Sequence, residues 1–286
     1  MEDLLMCRGS RAATFLTLTL IVFCTCMTSS GLAEPVDGDM FPVPEADAVT
    51  FWGHACIYID VGGYGIVTDP VFEGHTVVRW RHVPAPPASS YAGTRLILIS
   101  HAHPDHLSLD TIREFPPGAV ILCPMPSERY ISTLGREVKA VAPGDEFEFP
   151  GGRVVAVVAR HAGTRYGIRS QTDGGALGFV IYTPWQTVYY SGDTSLFDGI
   201  TEVGEVHAPD ISILNICGHL HGEDAVEAAR RLGSETVIPC HFGAYGYLFM
   251  PERKRPRDLD QLVEDLGDRV VLLGIGESYP LRRPEP

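Results

Sequence analysis

The chain has 286 residues, 45% hydrophobic and 20% charged, with 30 Gly and 22 Pro, a globular composition that excludes collagen-like, coiled-coil and wholly disordered chains. No period of roughly 20 to 50 residues repeats along it, which excludes solenoids and propellers. With 22 Lys and Arg against 36 Asp and Glu the formal charge is −14, which argues against a broad surface that tracks nucleic-acid phosphates.

At the start of the chain, Arg8 and Arg11 precede an uncharged run from Ala12 to Met27, and the small and polar residues TSSGLA follow. This is the layout of a secretory leader. The run is shorter than the roughly 18 to 20 residues a membrane span needs. Residues 1–33 are therefore expected to direct export, to a periplasm or outside the cell, with cleavage after Ala33. A permanent anchor formed by residues 12–27 is the alternative. Residues 34–48, Pro-rich and acidic, read as a linker, and residues 49–286 as the folded domain.

From Val49 onward short β-type runs follow one another: VTFWGHACIYID, YGIVTD, RLILIS, AVILC, RVVAVVAR, LGFVIYT, TVYYSGD, DISILNI, TVIPC and RVVLLG. Their Val, Ile and Tyr content and their Gly or Pro borders are what strands require. Helices are predicted over residues 104–115, 127–134, 223–232 and 258–266, the last two closed by Gly233 and Gly267 at the left-handed cap position. Strand clusters with helices between them predict a mixed α/β domain of two face-to-face sheets covered by helices. Removal of the leader leaves Cys56, Cys123, Cys217 and Cys240. None forms a CxxC pair, so a zinc ribbon is excluded, and each lies in an apolar run as a small buried hydrophobe.

The candidate chemistry collects where these strands end. RLILIS runs into His101-Ala102-His103-Pro104-Asp105-His106, RVVAVVAR ends at His161, TVYYSG at Asp193 and TVIPC at His241. Strand ends on one edge of a layered β protein converge, so groups distant in sequence meet across a groove. His101 and His103, two apart on an extended segment, face the same way. Pro104 suits a first helical turn, on which Asp105 and His106 point about 100° apart and serve a second ion. Imidazoles and carboxylates without a thiolate suit zinc, with manganese or iron as alternatives. Two divalent ions are expected.

Other polar groups carry two readings each. Asp69 ends the run YGIVTD and either accepts a proton from a ligand imidazole or forms a turn before Pro70. His54 is a pocket wall or proton donor to the leaving group, or else a satisfied core histidine. Arg165 and Arg169, in a glycine-containing stretch after His161, either clamp a phosphate or carboxylate or carry solvated loop charge. The segment YGYLFM after His241 either lines the substrate groove, where Phe249 would meet a lipid-like part, or joins the core. His75, His82 and His207 read as solvated loop residues, and His219 and His221 as rim candidates.

The order and spacing of these motifs resemble the metallo-β-lactamase superfamily, whose mark is HxHxDH, here His101, His103, Asp105 and His106. FWGHA (51–55), VTDPVF (67–72), SGDTSLFDG (191–199), DISILNICG (210–218), EDAVEAARRLGSETVIPCHFG (223–243) and GESYPL (276–281) extend the likeness across nearly the whole domain. They resemble the branch that holds small uncharacterised metal-dependent hydrolases, ascorbate 6-phosphate lactonase and N-acylphosphatidylethanolamine-hydrolysing phospholipase D. The resemblance implies a four-layer αββα sandwich. It also implies a first ion on His101, His103 and His161, a second on Asp105, His106 and His241, and Asp193 between them. The activity implied is hydrolysis of a small phosphodiester, lactone or related ester by a hydroxide bridging the ions, Asp105 and His54 being the catalytic candidates. Lactam hydrolysis by a Cys-ligand site is disfavoured, because Cys240 alternates to the other face of its strand from His241. Two other readings stay open: a nuclease or cyclic-nucleotide phosphodiesterase, which the acidic balance disfavours, and a non-catalytic or redox-sensing metal-binding protein. Oligomeric state has no sequence signal.

Overall fold

In the computed structural model, which describes residues 47–73, 79–161, 175–216, 220–247 and 257–282, most of the apolar runs become strands. The first part contains β1 (Ala48–Phe51), β2 (Ile57–Val61), β3 (Tyr64–Thr68), β4 (Arg79–Arg81), α1 (Ala88–Tyr91), β5 (Thr94–Leu98), α2 (Leu109–Glu114), β6 (Val120–Pro124), α3 (Met125–Ile131) and β7 (Val138–Val141). The second contains β8 (Glu146–Phe149), β9 (Gly152–Ala159), β10 (Ala176–Tyr182), β11 (Thr187–Tyr190), α4 (Asp198–His207), β12 (Ile211–Asn215), α5 (Gly222–Leu232) and β13 (Thr236–Cys240). β14 (Tyr245–Tyr247), α6 (Arg257–Leu266) and β15 (Ser278–Pro280) complete it. The expected leader, the linker up to residue 46, His75, Arg165, Arg169, Cys217, His219 and residues 248–250 of YGYLFM lie outside the described residues.

Two sheets form, in the orders β15-β1-β2-β3-β5-β6-β7 and β13-β12-β11-β10-β9-β8, with β14 and β4 as a separate ladder. Strict alternation of side chains sorts the strands' apolar residues into layers. Leu96 and Leu98 of β5 meet Phe179 and Ile181 of β10 in the core between the sheets. Ile97 faces outward to Ile112 of α2 and Ile131 of α3. On the other side Val180 faces α4, α5 and α6 through Val203, Ala229 and Leu262. Both faces of each sheet are covered, which is why the strands read as near-continuous apolar runs. The result is the expected mixed α/β fold with helices on the outside of two packed sheets.

Several boundaries differ from expectation. Ala48, the last residue of the expected linker, starts β1, and the Asp47 carboxylate before it accepts the Gly62 N–H. VTFWGHACIYID is two antiparallel strands, because Gly53 and His54 take positive φ and turn the chain. The predicted 104–115 helix is shortened to α2, because Ser108 adopts an extended conformation and caps it through Thr111 N–H at 3.1 Å. RVVLLG forms no strand, and only Val270 bridges to Val237. Helices α1 and α4 and strands β4, β7, β8, β14 and β15 have no counterpart among the predicted elements.

Strand direction places the site. β1, β3 and β5 run the same way in the first sheet, since β2 is antiparallel to both β1 and β3, and β5 is parallel to β3. In the second sheet β9, β11, β12 and β13 share one direction by the same reasoning. Each sheet therefore delivers its candidate residues at one edge. The two edges meet where Leu177 N–H donates to the Ser100 carbonyl at 2.9 Å.

Candidate metal centre

The first sheet contributes His54 after β1, Asp69 after β3 and the stretch from His101 to His106 after β5; the second contributes His161 after β9, Asp193 after β11 and His241 after β13. One group of donor atoms joins His101, His103 and His161, and another joins His54, Asp105, His106 and His241; within each, the atoms lie within 4.8 Å of one another. Asp193 faces both. Its Oδ2 lies 3.3 Å from His106 Nε2 and 3.9 Å from the Nε2 atoms of His101 and His161, and its Oδ1 lies 3.4 Å from His241 Nε2. The turn after β5 performs the expected split: His103 N-terminal to it joins the first group, while Asp105 and His106 join the second.

The donor set fits a cation. His103 Nδ1 lies 2.9 Å from His101 Nε2 and 3.0 Å from His161 Nε2. A ring nitrogen carries either one N–H or one in-plane lone pair, so hydrogen bonding among the three rings pairs His103 well with only one neighbour. A cation takes all three lone pairs at once, and tetrahedral zinc with bonds of about 2.0–2.1 Å would hold such atoms about 3.3 Å apart. His106 Nε2 and His241 Nε2 are likewise 3.1 Å apart, with Asp105 Oδ2 3.8 and 3.9 Å from them.

Asp69 sets the tautomers. Its Oδ2 lies 2.8 Å from His106 Nδ1, so an N–H there donates to it and leaves Nε2 with the lone pair. Ser100 Oγ spends its single proton on Asp69 Oδ2 at 2.5 Å and so accepts from His101 Nδ1 at 2.9 Å, which frees His101 Nε2 too. Tyr190 OH and Ser100 N–H also donate to this carboxylate, at 2.6 and 2.7 Å. Of its two sequence readings, Asp69 takes the one in which it accepts from an imidazole.

Charge points the same way. Burial, then the nearby His106 imidazole, hold His101 well below the usual histidine range, so its ring is neutral. Burial opposes a charge on His106 as well, but the carboxylates of Asp193, Asp105 and Asp69 outweigh it and raise His106 well above that range. Burial alone would raise Asp193, yet the imidazoles of His106, His241 and His101 hold it well below the usual carboxylate range. The cluster of carboxylates thus demands positive charge, from a proton on His106 or from a cation.

The backbone is strained here. Among the described residues, the non-glycine positions with positive φ are His54 at 59°, Asp69 at 38°, His241 at 74° and Ala208 at 43°; all but Ala208, which caps the C-terminus of α4, belong to this cluster. Such strain, of order 1–3 kcal/mol per residue, persists where surrounding structure enforces it and gathers at functional sites. Here the His241 N–H donates to the His54 carbonyl and the His54 N–H to the Phe242 carbonyl. The His54 ring lies 4.1 Å from that of His241, with Nε2 3.2 Å from Asp105 Oδ2, so it belongs to the site and not to a remote core.

Other expectations resolve differently. His207 is no solvated loop residue: it ends α4 and pairs with Tyr182 OH at 2.7 Å. His221 precedes α5 and faces Asp258 at 3.6 Å. Cys56, Cys123 and Cys240 are buried, and burial pushes the Cys123 thiol up to about 12. Ser100, Tyr190 and Asn215 escaped sequence reasoning. For Asn215 the signal was a lone amide inside the apolar run ISILNIC; Tyr190 had none.

Residues 64–242 match the β-lactamase superfamily domain. The chain is 31% identical over 245 residues to a UPF0173 metal-dependent hydrolase of Pyrococcus furiosus, covering 82% of this chain and 99% of the relative. It is 26% identical over 238 residues to another from Anoxybacillus flavithermus, covering 82% and 99%. A solved structure of a metallo hydrolase from Ignicoccus hospitalis aligns with a TM-score of 0.61 at 26% identity, over 81% of this chain and 97% of that one.

Proposed function

Since the chain belongs to the β-lactamase superfamily and is one of its metal-dependent hydrolases, we propose that it holds two divalent cations and hydrolyses a small phosphodiester, lactone or related ester. His101, His103 and His161 hold one ion, Asp105, His106 and His241 the other, and Asp193 serves both. Zinc is the first choice for this nitrogen-rich set, with manganese or iron as alternatives. The observation that carries the reading is the convergence of imidazoles from both donor groups to within 4 Å of the buried Asp193 carboxylate.

Bound there, divalent ions polarise a substrate oxygen and make water acidic enough to attack near neutral pH. The chain's own residues prepare for that chemistry. Asp69 and Ser100 keep the Nδ1 protons of His106 and His101 in place, so the opposite nitrogens stay available. Buried His101, His106 and Asp193 exclude bulk water on the inner side, while the partly exposed Asp105 marks the open side. His54 Nε2 lies 3.2 Å from Asp105 Oδ2, and we assign His54, as the imidazolium beside that carboxylate, to give its Nε2 proton to the departing oxygen and be left as the neutral imidazole. The −14 charge favours a small substrate over a nucleic acid.

The test combines metal analysis with a substrate panel. Purified protein should carry close to two ions per chain, and His103→Ala and Asp193→Ala should lose metal and turnover together. Bis-aryl phosphodiesters, sugar lactones and N-acyl phospholipids separate the ester classes. Turnover of none of the three, or full turnover by Asp193→Ala, would remove the proposal.

A further inference from the structure

We propose that Asn215 is a positioning residue that determines which oxygen of Asp193 serves the cation sites, and that the Cys240 thiol determines which way Asn215 points. This rests on the two-ion reading above. Asn215 ends β12 and is 1% exposed. Its Nδ2 donates to Asp193 Oδ1 at 3.0 Å, its Oδ1 accepts from Cys240 Sγ at 2.8 Å, and its backbone N–H donates to Ser191 Oγ at 2.9 Å.

An asparagine amide has nearly the same shape in both orientations, so its direction is set by its partners. Here the partners are unambiguous. An ionised carboxylate only accepts, and a thiol offers one donor and a poor acceptor. Cys240 therefore selects the amide oxygen and leaves the NH2 group to Asp193 and, at 3.4 Å, to Tyr190 OH. Anchoring Asp193 Oδ1 in this way keeps it 3.4 Å from His241 Nε2 and turns Oδ2 toward the rings of His101, His106 and His161. Rotation of the carboxylate would break a buried hydrogen bond, which keeps one oxygen between the two donor groups. Without the amide donor, Asp193 loses the buried hydrogen bond that fixes Oδ1.

The test uses the full chain loaded with cobalt(II), reading the visible spectrum and the affinity of each ion by chelator competition. Asn215→Leu removes the donor, and Asn215→Asp keeps the shape but places an acceptor against Asp193, so it serves if the leucine variant fails to fold. Both should alter the cobalt spectrum and weaken retention of the second ion by about 10- to 100-fold, the range for outer partners of metal ligands. Cys240→Val should move both readouts the same way, and Cys240→Ser, which keeps a donor, should rescue them. Two ions in the parent protein with an unaltered spectrum and affinity in Asn215→Asp overturn the inference alone. One ion or none in the parent protein overturns the two-ion reading and the inference with it. Equal losses in Cys240→Val and Cys240→Ser overturn the role of the thiol.

Discussion

Asp69 accepts four hydrogen bonds on two buried oxygens, from Ser100 N–H, Ser100 Oγ, Tyr190 OH and His106 Nδ1. Two of those donors act on imidazoles of different donor groups, so one carboxylate orients both. Asp69→Asn turns half of that acceptor into a donor and cannot satisfy all four partners. The expected result is a 10- to 100-fold loss of affinity, roughly, for both ions, whereas Ser100→Ala should weaken chiefly the ion on His101. Chelator competition on the two variants checks this, and a loss confined to one ion in Asp69→Asn would contradict the shared role. Asp69 was legible in the sequence because it punctuates an apolar run just before a proline. Ser100 and Tyr190 were not, since a hydroxyl at a strand end or on an inward-facing tyrosine looks the same whether it holds a carboxylate or merely packs. Their meaning arises only when β5 and β11 meet.

Two glycines separate what an element needs from what the junction of elements needs. Gly233 ends α5 at φ 69° with nothing within 4 Å of a Cβ built on it, so Gly233→Ala pays only the left-handed strain, about 1 kcal/mol. Gly192, in the motif SGD before Asp193, also has positive φ, but an added Cβ would lie 2.6 Å from the Leu177 carbonyl oxygen and 2.8 Å from Ser100 Cβ. It lets the end of β11 approach the end of β5. Gly192→Ala should cost roughly 2–4 kcal/mol, as overpacking is added to strain, and should also weaken metal binding. Urea unfolding with metal titration checks both, and equal costs at the two positions would refute the contrast. The same kind of close approach hid α4. Its sequence DGITEVGEVH has two glycines and β-branched residues, poor helix formers. Yet Gly204 lies so near α5 that a Cβ would meet the Arg231 carbonyl oxygen at 2.3 Å, while Ile200 and Val203 pack inward. Tertiary packing, absent from any local pattern, makes that helix.

At the scale of the whole described domain, the candidate ligands come from both sheets. His101, His103, Asp105 and His106 follow a strand of one, and His161, Asp193 and His241 follow strands of the other. Cations held by both would therefore cross-link two layers otherwise joined by apolar burial and by hydrogen bonds such as Leu177 N–H to the Ser100 carbonyl and Tyr190 OH to Asp69. Each ion at a hundredfold excess over its Kd should add about 2.7 kcal/mol to stability, so both together should raise Tm by on the order of 10–20 °C. His103→Ala in the first sheet and His161→Ala in the second should forfeit the same share of that rise. The effect should also depend on pH with a definite sign. In chelated protein the His106 proton is held well above the usual histidine range. Its stabilisation is complete below the unfolded value of about 6.5 and is lost as pH rises through the folded one. A cation competes for the same nitrogen, so the metal-dependent rise in Tm should be smallest near pH 6 and grow toward about pH 8. Thermal scans with and without a chelator across that range give the increment directly. A rise that stays flat or shrinks with pH would mean that the carboxylates around His106 recruit no proton for the cation to displace.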